Sequence, residues 1–282
     1  MKLFYSGKCL EYRQYGHPES PERVATAAEF LGKNGFSFQE PEPCTLLDIL
    51  RVHSESLLES VQRGTFIDTD TPALPNMADY AMLSAGAAVQ ACDSAEKGET
   101  AFSLMRPPGH HATRNRVMGF CYFNSIAVAA ARHLSGHPEA RIAILDIDCH
   151  HGNGTEDIFL GNPSVLYISL HQSPLYPGTG QESKGNCLNF TFPPRTGEPE
   201  YLKILDTASA EIARFNPSLL GVSAGFDTFK GDPITRAGLE ITTYRKIGKA
   251  VSNLKRPTFT VLEGGYSPQL PECIWEFLQG LT

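Results

Sequence analysis

Five short apolar runs in this chain each lead into a polar loop rich in glycine or proline and then, in most cases, into a helical stretch. The runs are AFSLM (101–105), RIAILDID (141–148), SVLYISL (164–170), SLLGVSAG (218–225) and TFTVLEGG (258–265). Aliphatic and β-branched runs that alternate with helices predict a mainly parallel sheet covered by helices on both faces. Since no linker separates these units, we expect an α/β three-layer fold and a single domain over residues 1–282.

Two upstream segments carry helical patterns. The first, 20–35, begins with Ser20 at the N-cap and Pro21 in the first turn, and the second spans 77–98. Both end near glycine, which is typical of helix C-termini. We expect both helices to pack on the sheet.

Composition and charge exclude several classes of function. The chain is 41% hydrophobic and 20% charged, which is typical of a folded protein, and its formal charge of −7 disfavours direct nucleic-acid binding. The N-terminus has no signal-peptide core, and no apolar stretch is long enough for a membrane span. The seven cysteines form no CxxC pair, so we expect reduced core thiols. These features predict a cytoplasmic protein, and they leave its oligomeric state undetermined.

Ionisable and aromatic side chains cluster where the apolar runs end. They are His110 and His111; Asp146, Asp148 and His150; His171; Asp227; and Tyr266. Ligands of open parallel sheets bind beyond the carboxyl ends of the strands. The sequence therefore predicts that these side chains share one edge of the sheet.

Strand parity separates the residues at the end of 141–148. Alternate side chains share a face, so Asp148 and His150 project together, with successive same-face Cα atoms about 6.6 Å apart. A carboxylate and an imidazole can then converge on one ion, and Asp227 is our expected third ligand. Two carboxylates and one imidazole, with a position left for water, favour a catalytic zinc site.

Each of these residues also has a plain structural interpretation. Asp148 and His150 could serve as caps and turn residues, His110 and His111 could anchor a loop, and Asp227 could cap the following segment. The metal site is favoured because all of them fall at strand ends, and because a buried carboxylate without a cation is costly.

Six ordered motifs resemble the zinc-dependent histone deacetylase family. They are RPPGHHA (106–112), GFCYFN (119–124), LDIDCHHGNGTEDIF (145–159), SLHQSPLYPGTG (169–180), GFDTFKGDP (225–233) and EGGY (263–266), preceded by HPESPER (17–23). That family includes acetylpolyamine amidohydrolases and acetoin-utilisation proteins, and it shares its fold with arginase. The details are most similar to class II and prokaryotic members.

The resemblance implies a role for each matching residue. One zinc ion per chain would be held by Asp148, His150 and Asp227. His110 and His111 would be the tandem histidines, oriented by Asp146 and Asn153 respectively, and Tyr266 would be the catalytic tyrosine. The substrate would contact Gly119, Phe120 and Tyr176, with His151 and His171 supporting the site. The expected potassium ligands are Asp146, Asp148, His150, Ser169 and Leu170, with a second site near Phe159 and Val165.

The implied activity is hydrolysis of an acyl amide. We expect a zinc-dependent deacetylase acting on acyl-lysine or a related small acylated amine. The alternative is an acetylpolyamine deacetylase; a binuclear manganese ureohydrolase and an inactive acyl-lysine-binding module are less favoured. At the rim of the site, Ile234 and Arg236 would provide no favourable charge for a cationic polyamine, whereas Asp70 and Glu240 would supply negative charge.

Overall fold

One sheet of eight parallel strands runs through the computed structural model, which describes every residue from 1 to 282. The strands are β1 (Lys2–Phe4), β2 (Phe38–Gln39), β3 (Ala101–Ser103), β4 (Ile142–Asp146), β5 (Val165–Gln172), β6 (Cys187–Phe192), β7 (Leu219–Ala224) and β8 (Thr258–Leu262). Their order across the sheet is β2-β1-β3-β8-β7-β4-β5-β6, and every neighbouring pair is parallel. The predicted parallel sheet is confirmed.

Nine α-helices complete the fold. They are α1 (Pro21–Lys33), α2 (Leu46–Leu50), α3 (Glu55–Arg63), α4 (Met77–Glu96), α5 (Ser125–Gly136), α6 (Asn153–Phe159), α7 (Glu198–Phe215), α8 (Thr243–Asn253) and α9 (Leu270–Leu281). Helices α4 and α5 pack together against β3, β8 and β7, whereas α7 packs on β5 and β6. Helix α7 contacts α8, α8 contacts α9, and α9 contacts α1. The sheet thus has helices on both faces, as expected for a three-layer α/β fold. None of the helices has the length and apolar character needed to cross a bilayer.

The five strands expected from the sequence form the centre of the sheet, in the order β3-β8-β7-β4-β5. The strands missed by the pattern lie on either side of this centre, β1 and β2 beyond β3 and β6 beyond β5. Strand β2 has only two residues, and only the first and last residues of β6 are buried, so neither forms a continuous apolar run. Strand β4 ends at Asp146 rather than at residue 148, because the chain turns out of the sheet there.

Register brings the polar strand ends together. Asp146 in β4 lies opposite Ser169 in β5 and Ser223 in β7. Because the strands are parallel, the loops after β3, β4, β5, β7 and β8 all leave the same edge of the sheet. This edge carries the candidate active site.

A buried ion pair fastens the loop after β3 to the N-terminal segment. Arg106 is fully buried; its Nε lies 2.7 Å from Glu19 Oε1 and its Nη2 lies 2.8 Å from Glu19 Oε2. The guanidinium also stacks 3.7 Å from the centre of the Tyr12 ring. Burial by itself raises the pKa of Glu19, but the charge and hydrogen bonds of Arg106 outweigh it and hold the pKa below its usual range.

The Glu19 carboxylate also pairs with Arg23 in α1. Arg23 Nη1 lies 3.1 Å from Glu19 Oε1, while its Nε and Nη2 donate to the backbone carbonyls of Gly265 (2.6 Å) and Glu263 (2.7 Å). The segment that follows β8 is therefore held by a charged network that begins at Arg106.

We predict that Arg106→Leu lowers the free energy of unfolding by at least about 3 kcal/mol, because it leaves the Glu19 carboxylate buried with only Arg23 as its cation. Chemical denaturation measures the change. The control is Arg13→Leu, which removes an ion pair to Glu22 whose side chains are 53% and 56% exposed; it should cost no more than about 1 kcal/mol. Equal losses in the two variants would contradict the prediction.

Candidate active site

Three potential ligand atoms meet beyond the ends of β4 and β7. Asp148, His150 and Asp227 are all buried, and each offers one such atom within 4.8 Å of the others. His150 Nδ1 lies 3.0 Å from Asp148 Oδ1 and 2.8 Å from Asp227 Oδ2. Two carboxylates and one imidazole form a donor set that could hold a metal ion, and His150 also lines the cavity described below.

The hydrogen bonds around this cluster test whether its residues fit a metal ion. Asp227 Oδ1 accepts from the Cys149 amide at 2.8 Å, and Asp148 Oδ2 accepts from the Gly264 amide at 2.8 Å. In contrast, Asp227 Oδ2 is buried and accepts no well-directed hydrogen bond, despite its proximity to His150. Burial and the charge of Asp148 raise the pKa of the Asp227 carboxyl to about 7. A buried oxygen without a partner, beside a second carboxylate, fits a site that binds a cation.

Two adjacent histidines lie beside the cluster, each with its own partner. His110 Nδ1 lies 3.0 Å from Asp146 Oδ2, and His111 Nδ1 lies 2.8 Å from Asn153 Oδ1. The two rings are 4.0 Å apart between centroids. Asp146 also accepts from the Tyr167 hydroxyl at 3.0 Å and from the Asp148 amide at 3.1 Å. The structure thus gives one histidine a charged partner and the other a neutral one.

This difference gives the two imidazoles opposite protonation tendencies. Burial lowers the pKa of His110, but the charges of Asp146 and Asp148 outweigh it and raise the pKa to about 10. Burial, followed by the positive charges of His110 and His150, lowers the pKa of His111 well below its usual range. These surroundings therefore favour the neutral form of His111 and the protonated form of His110.

A cavity of about 260 Å³ opens onto His110, His111 and His150. The expected substrate-contacting residues all line it: Gly119, Phe120, Tyr176, Ile234 and Asp70. The Phe120 ring meets that of Tyr266 edge to face at 5.9 Å, and the Tyr176 ring meets that of His111 at 5.1 Å. Aromatic walls of this kind suit an alkyl chain.

Phe120 has a backbone φ of +70°, in the left-handed region that residues other than glycine rarely adopt. Its amide donates to Thr71 Oγ1 at 2.9 Å, and the ring of His17 meets its ring edge to face at 4.5 Å. His17 also bonds the backbone oxygen of Asp70 at 3.0 Å. These contacts fix one wall of the cavity relative to its rim.

Tyr266 lies in the cavity wall after β8. Its amide donates to Asp232 Oδ2 at 2.7 Å, and the guanidinium of Arg23 lies 4.5 Å from its ring centre. Burial raises the pKa of the Tyr266 hydroxyl well above its usual value, so this group remains a donor at neutral pH. Backbone and ring are thus both held in place.

His151 and His171 lie outside the cavity. The two rings are 4.7 Å apart; His151 Nδ1 bonds Thr179 Oγ1 at 2.8 Å and His171 Nδ1 bonds Ser169 Oγ at 2.8 Å. Ser169 and the following Leu170 are buried in β5 beside Asp146. Phe159 ends α6 and Val165 begins β5, and both are buried.

Arg236 and Glu240 are not at the rim, contrary to our expectation. Neither lines the cavity, both are exposed, and Glu240 pairs with Lys230 at 2.7 Å. The reason is local: the Ile234 amide bonds Asp232 Oδ1 at 3.0 Å and Thr235 Oγ1 bonds the Asp227 carbonyl, so the chain turns away after Ile234.

Glu263 is a residue of the site for which the sequence pattern indicated no role. Its buried Oε2 accepts from the amides of Gly109 (2.7 Å) and His110 (3.1 Å), and its Oε1 accepts from Ser223 Oγ at 3.2 Å. It thereby ties the histidine loop to β7 and β8. The EGGY motif contains it, but nothing in the pattern indicated which loop it would contact.

Known proteins resemble this chain over most of its length. The family model for the histone deacetylase domain matches residues 17–281. A probable deacetylase of Archaeoglobus fulgidus is 37% identical over 276 residues, covering 89% of this chain and 77% of that protein. A histone deacetylase-like amidohydrolase of Pseudomonas aeruginosa is 35% identical over 92% of this chain and 75% of its own. The solved structure of an acetylpolyamine aminohydrolase from Burkholderia pseudomallei has a TM-score of 0.92 at 28% identity, covering 99% of this chain and 98% of its own.

We predict that Gly264→Ala raises the zinc dissociation constant at the Asp148, His150 and Asp227 cluster by at least about tenfold. A Cβ at residue 264 would lie 2.6 Å from Asp148 Oδ2 and 2.7 Å from Asp227 Oδ2, so both carboxylates must move. Competition with a chromophoric chelator measures the constant. Gly7→Ala is the control, because its Cβ would meet no atom within 4 Å. Unchanged zinc affinity in Gly264→Ala would refute the predicted role of the cluster.

Proposed function

The chain belongs to the histone deacetylase family, and from this premise we propose that it is a zinc-dependent amidohydrolase acting as one catalytic domain over residues 1–282. Its proposed reaction removes an acetyl or other acyl group from acyl-lysine or a related acylated amine. The observation that carries the proposal is the convergence of three elements on one aromatic-walled cavity: the Asp148, His150 and Asp227 cluster, the neutral His111, and Tyr266.

The residues divide the work of amide hydrolysis. Asp148, His150 and Asp227 would hold one zinc ion, which when bound supplies a Lewis acid for the acyl carbonyl and lowers the pKa of water. His111 accepts the proton of the attacking water, since its low pKa keeps it neutral. An imidazole of the tandem pair then returns a proton to the leaving amine.

The remaining groups orient and stabilise. The Tyr266 hydroxyl donates to the oxyanion that develops on the acyl oxygen, a contribution of about 3 kcal/mol for a well-placed donor. Phe120 and Tyr176 enclose the alkyl stem and exclude water, and the Gly119 carbonyl accepts from the substrate. Asp146 and Asn153 fix the tautomers of His110 and His111 through the contacts described above.

A potassium ion beside the zinc is also proposed, with oxygen ligands from Asp146, Asp148, His150, Ser169 and Leu170. The pairing of Asp146 with Ser169 across β4 and β5 supports it, because both residues are buried at adjacent positions. A second site would use Phe159 and Val165. Oxygen donors of this kind suit hard cations.

The cavity rim favours acyl-lysine over acylpolyamine. Ile234 is apolar, and Asp70 is the one carboxylate among the residues that line the cavity, so a polycation finds little charge there. The Pseudomonas relative is a histone deacetylase-like amidohydrolase, whereas the Burkholderia neighbour is an acetylpolyamine aminohydrolase. Acetylpolyamine deacetylation is therefore the second candidate activity.

A binuclear manganese ureohydrolase and an inactive acyl-lysine-binding module fit the site less well. The ureohydrolase needs additional carboxylates, whereas the loops beside the cluster offer His110, His111 and Tyr266. The binding module would not require the full set of base, orienting partners and tyrosine. Both functions are therefore disfavoured relative to amide hydrolysis.

We predict that Tyr266→Phe lowers the turnover of an acetyl-lysine peptide by about a hundredfold or more while zinc stays bound, because the oxyanion loses its donor. Steady-state kinetics and metal analysis on the same samples measure both quantities. Tyr15→Phe, at a residue that is 97% exposed, should match the unmodified protein. Near-normal turnover in Tyr266→Phe would overturn the assignment.

We also predict that kcat/KM is at least about tenfold higher for an acetyl-lysine peptide than for acetylspermidine. Ile234→Glu adds a carboxylate to the rim and should shift the ratio toward the polyamine. Arg236→Gln also lowers the charge by one unit, but outside the cavity, and should leave the ratio unchanged. A preference of the unmodified enzyme for acetylspermidine would select polyamine deacetylation instead.

A further inference from the structure

A second group of ligand-type side chains lies at the opposite edge of the sheet from the candidate active site. Cys92 and Glu96 are one helical turn apart near the end of α4, and His133 is in the last turn of α5, which packs beside it. Each of the three offers a ligand atom within 4.8 Å of the others. The hollow next to them is lined by Glu96 and His133 together with residues just before β4, β7 and β8.

The residue types and their spacing match a transition-metal site. Thiolate, imidazole and carboxylate are the ligands that zinc takes in proteins. Residues four apart on a helix share a face, so Cys92 and Glu96 project together toward α5. Metal–ligand bonds of zinc imply donor atoms about 3.3–3.8 Å apart in a tetrahedral site. Glu96 Oε1 and His133 Nδ1 are in direct contact, so sharing an ion requires the Glu96 carboxylate to rotate away from that nitrogen.

An independent observation points to a missing ligand at His133. The residue is only 9% exposed, its Nδ1 contacts Glu96 Oε1, and its buried Nε2 has no hydrogen-bond partner. Buried ring nitrogens without a partner are costly and uncommon. The exposed ring of His137 stacks on that of His133 with 4.7 Å between centroids, which places it next to the cluster.

We propose that Cys92, Glu96 and His133 bind a zinc ion that joins the ends of α4 and α5, with His137 or water as the fourth ligand. The site is separate from the proposed deacetylase chemistry, which uses the other edge of the sheet. Binding releases the thiol proton of Cys92 to solvent, because the thiolate is the ligand.

Cobalt(II) distinguishes this site from the Asp148, His150 and Asp227 cluster, because only this site contains sulfur. The chelator-treated, reduced full-length protein is titrated with Co²⁺, and the near-ultraviolet sulfur-to-cobalt charge-transfer absorption is followed. Because the chain has two proposed sites, we expect up to two equivalents of Co²⁺ to bind, one of them generating the band, and Zn²⁺ to abolish it. Cys92→Ser should remove the band, whereas Cys273→Ser, which changes another buried cysteine, should retain it.

Glu96→Gln provides a second variant at an exposed residue, which is expected to fold whether or not Cys92→Ser does. It should raise the Co²⁺ dissociation constant for the band by at least about tenfold. Circular dichroism verifies folding, and deacetylase turnover should be unchanged in both variants. Absence of the band in the unmodified protein, its persistence in Cys92→Ser, or unchanged affinity in Glu96→Gln would each overturn the proposal and leave only an ion pair between Glu96 and His133.

Discussion

Two carboxylates, Asp148 and Asp227, are buried side by side at the centre of the sheet edge, and the arrangement around them depends on compensating their charge. Backbone amides of Gly264 and Cys149 each satisfy one oxygen, and His150 lies between the two side chains. Asp227 still has a buried Oδ2 without a partner, and burial raises the pKa of its carboxyl group. A divalent cation would coordinate this oxygen and also compensate the negative charge of the carboxylates. This edge of the sheet therefore fits a metalloenzyme.

The same charges determine what the tandem histidines can do. Asp146 and Asp148 raise the pKa of His110 against the effect of burial, whereas burial and the charge of His110 lower that of His111. Asn153 orients His111 without adding negative charge, so the second imidazole stays neutral. His110 is paired with a carboxylate and His111 with an amide. This difference of one partner side chain determines which imidazole is the stronger base.

Positioning extends well beyond the residues that face the cavity. Glu263 holds the loop that carries His110, and Arg23 holds the segment that carries Tyr266. Arg23 is in turn joined through Glu19 to the fully buried Arg106. One network of buried charges thus connects the N-terminal segment with the loops after β3 and β8. Such a network needs every partner in place, because a lone buried charge is expensive.

The sequence by itself determined the central parallel strands and the residues at their ends, because apolar periodicity and the polar breaks that follow it are local signals. It also brought Asp148, His150 and Asp227 together as a hypothesis, since parallel strands end at one edge. Tertiary structure alone decided that Glu263 contacts the histidine loop and that β1, β2 and β6 complete the sheet. These outcomes depend on contacts between segments far apart in the chain, which no local pattern encodes.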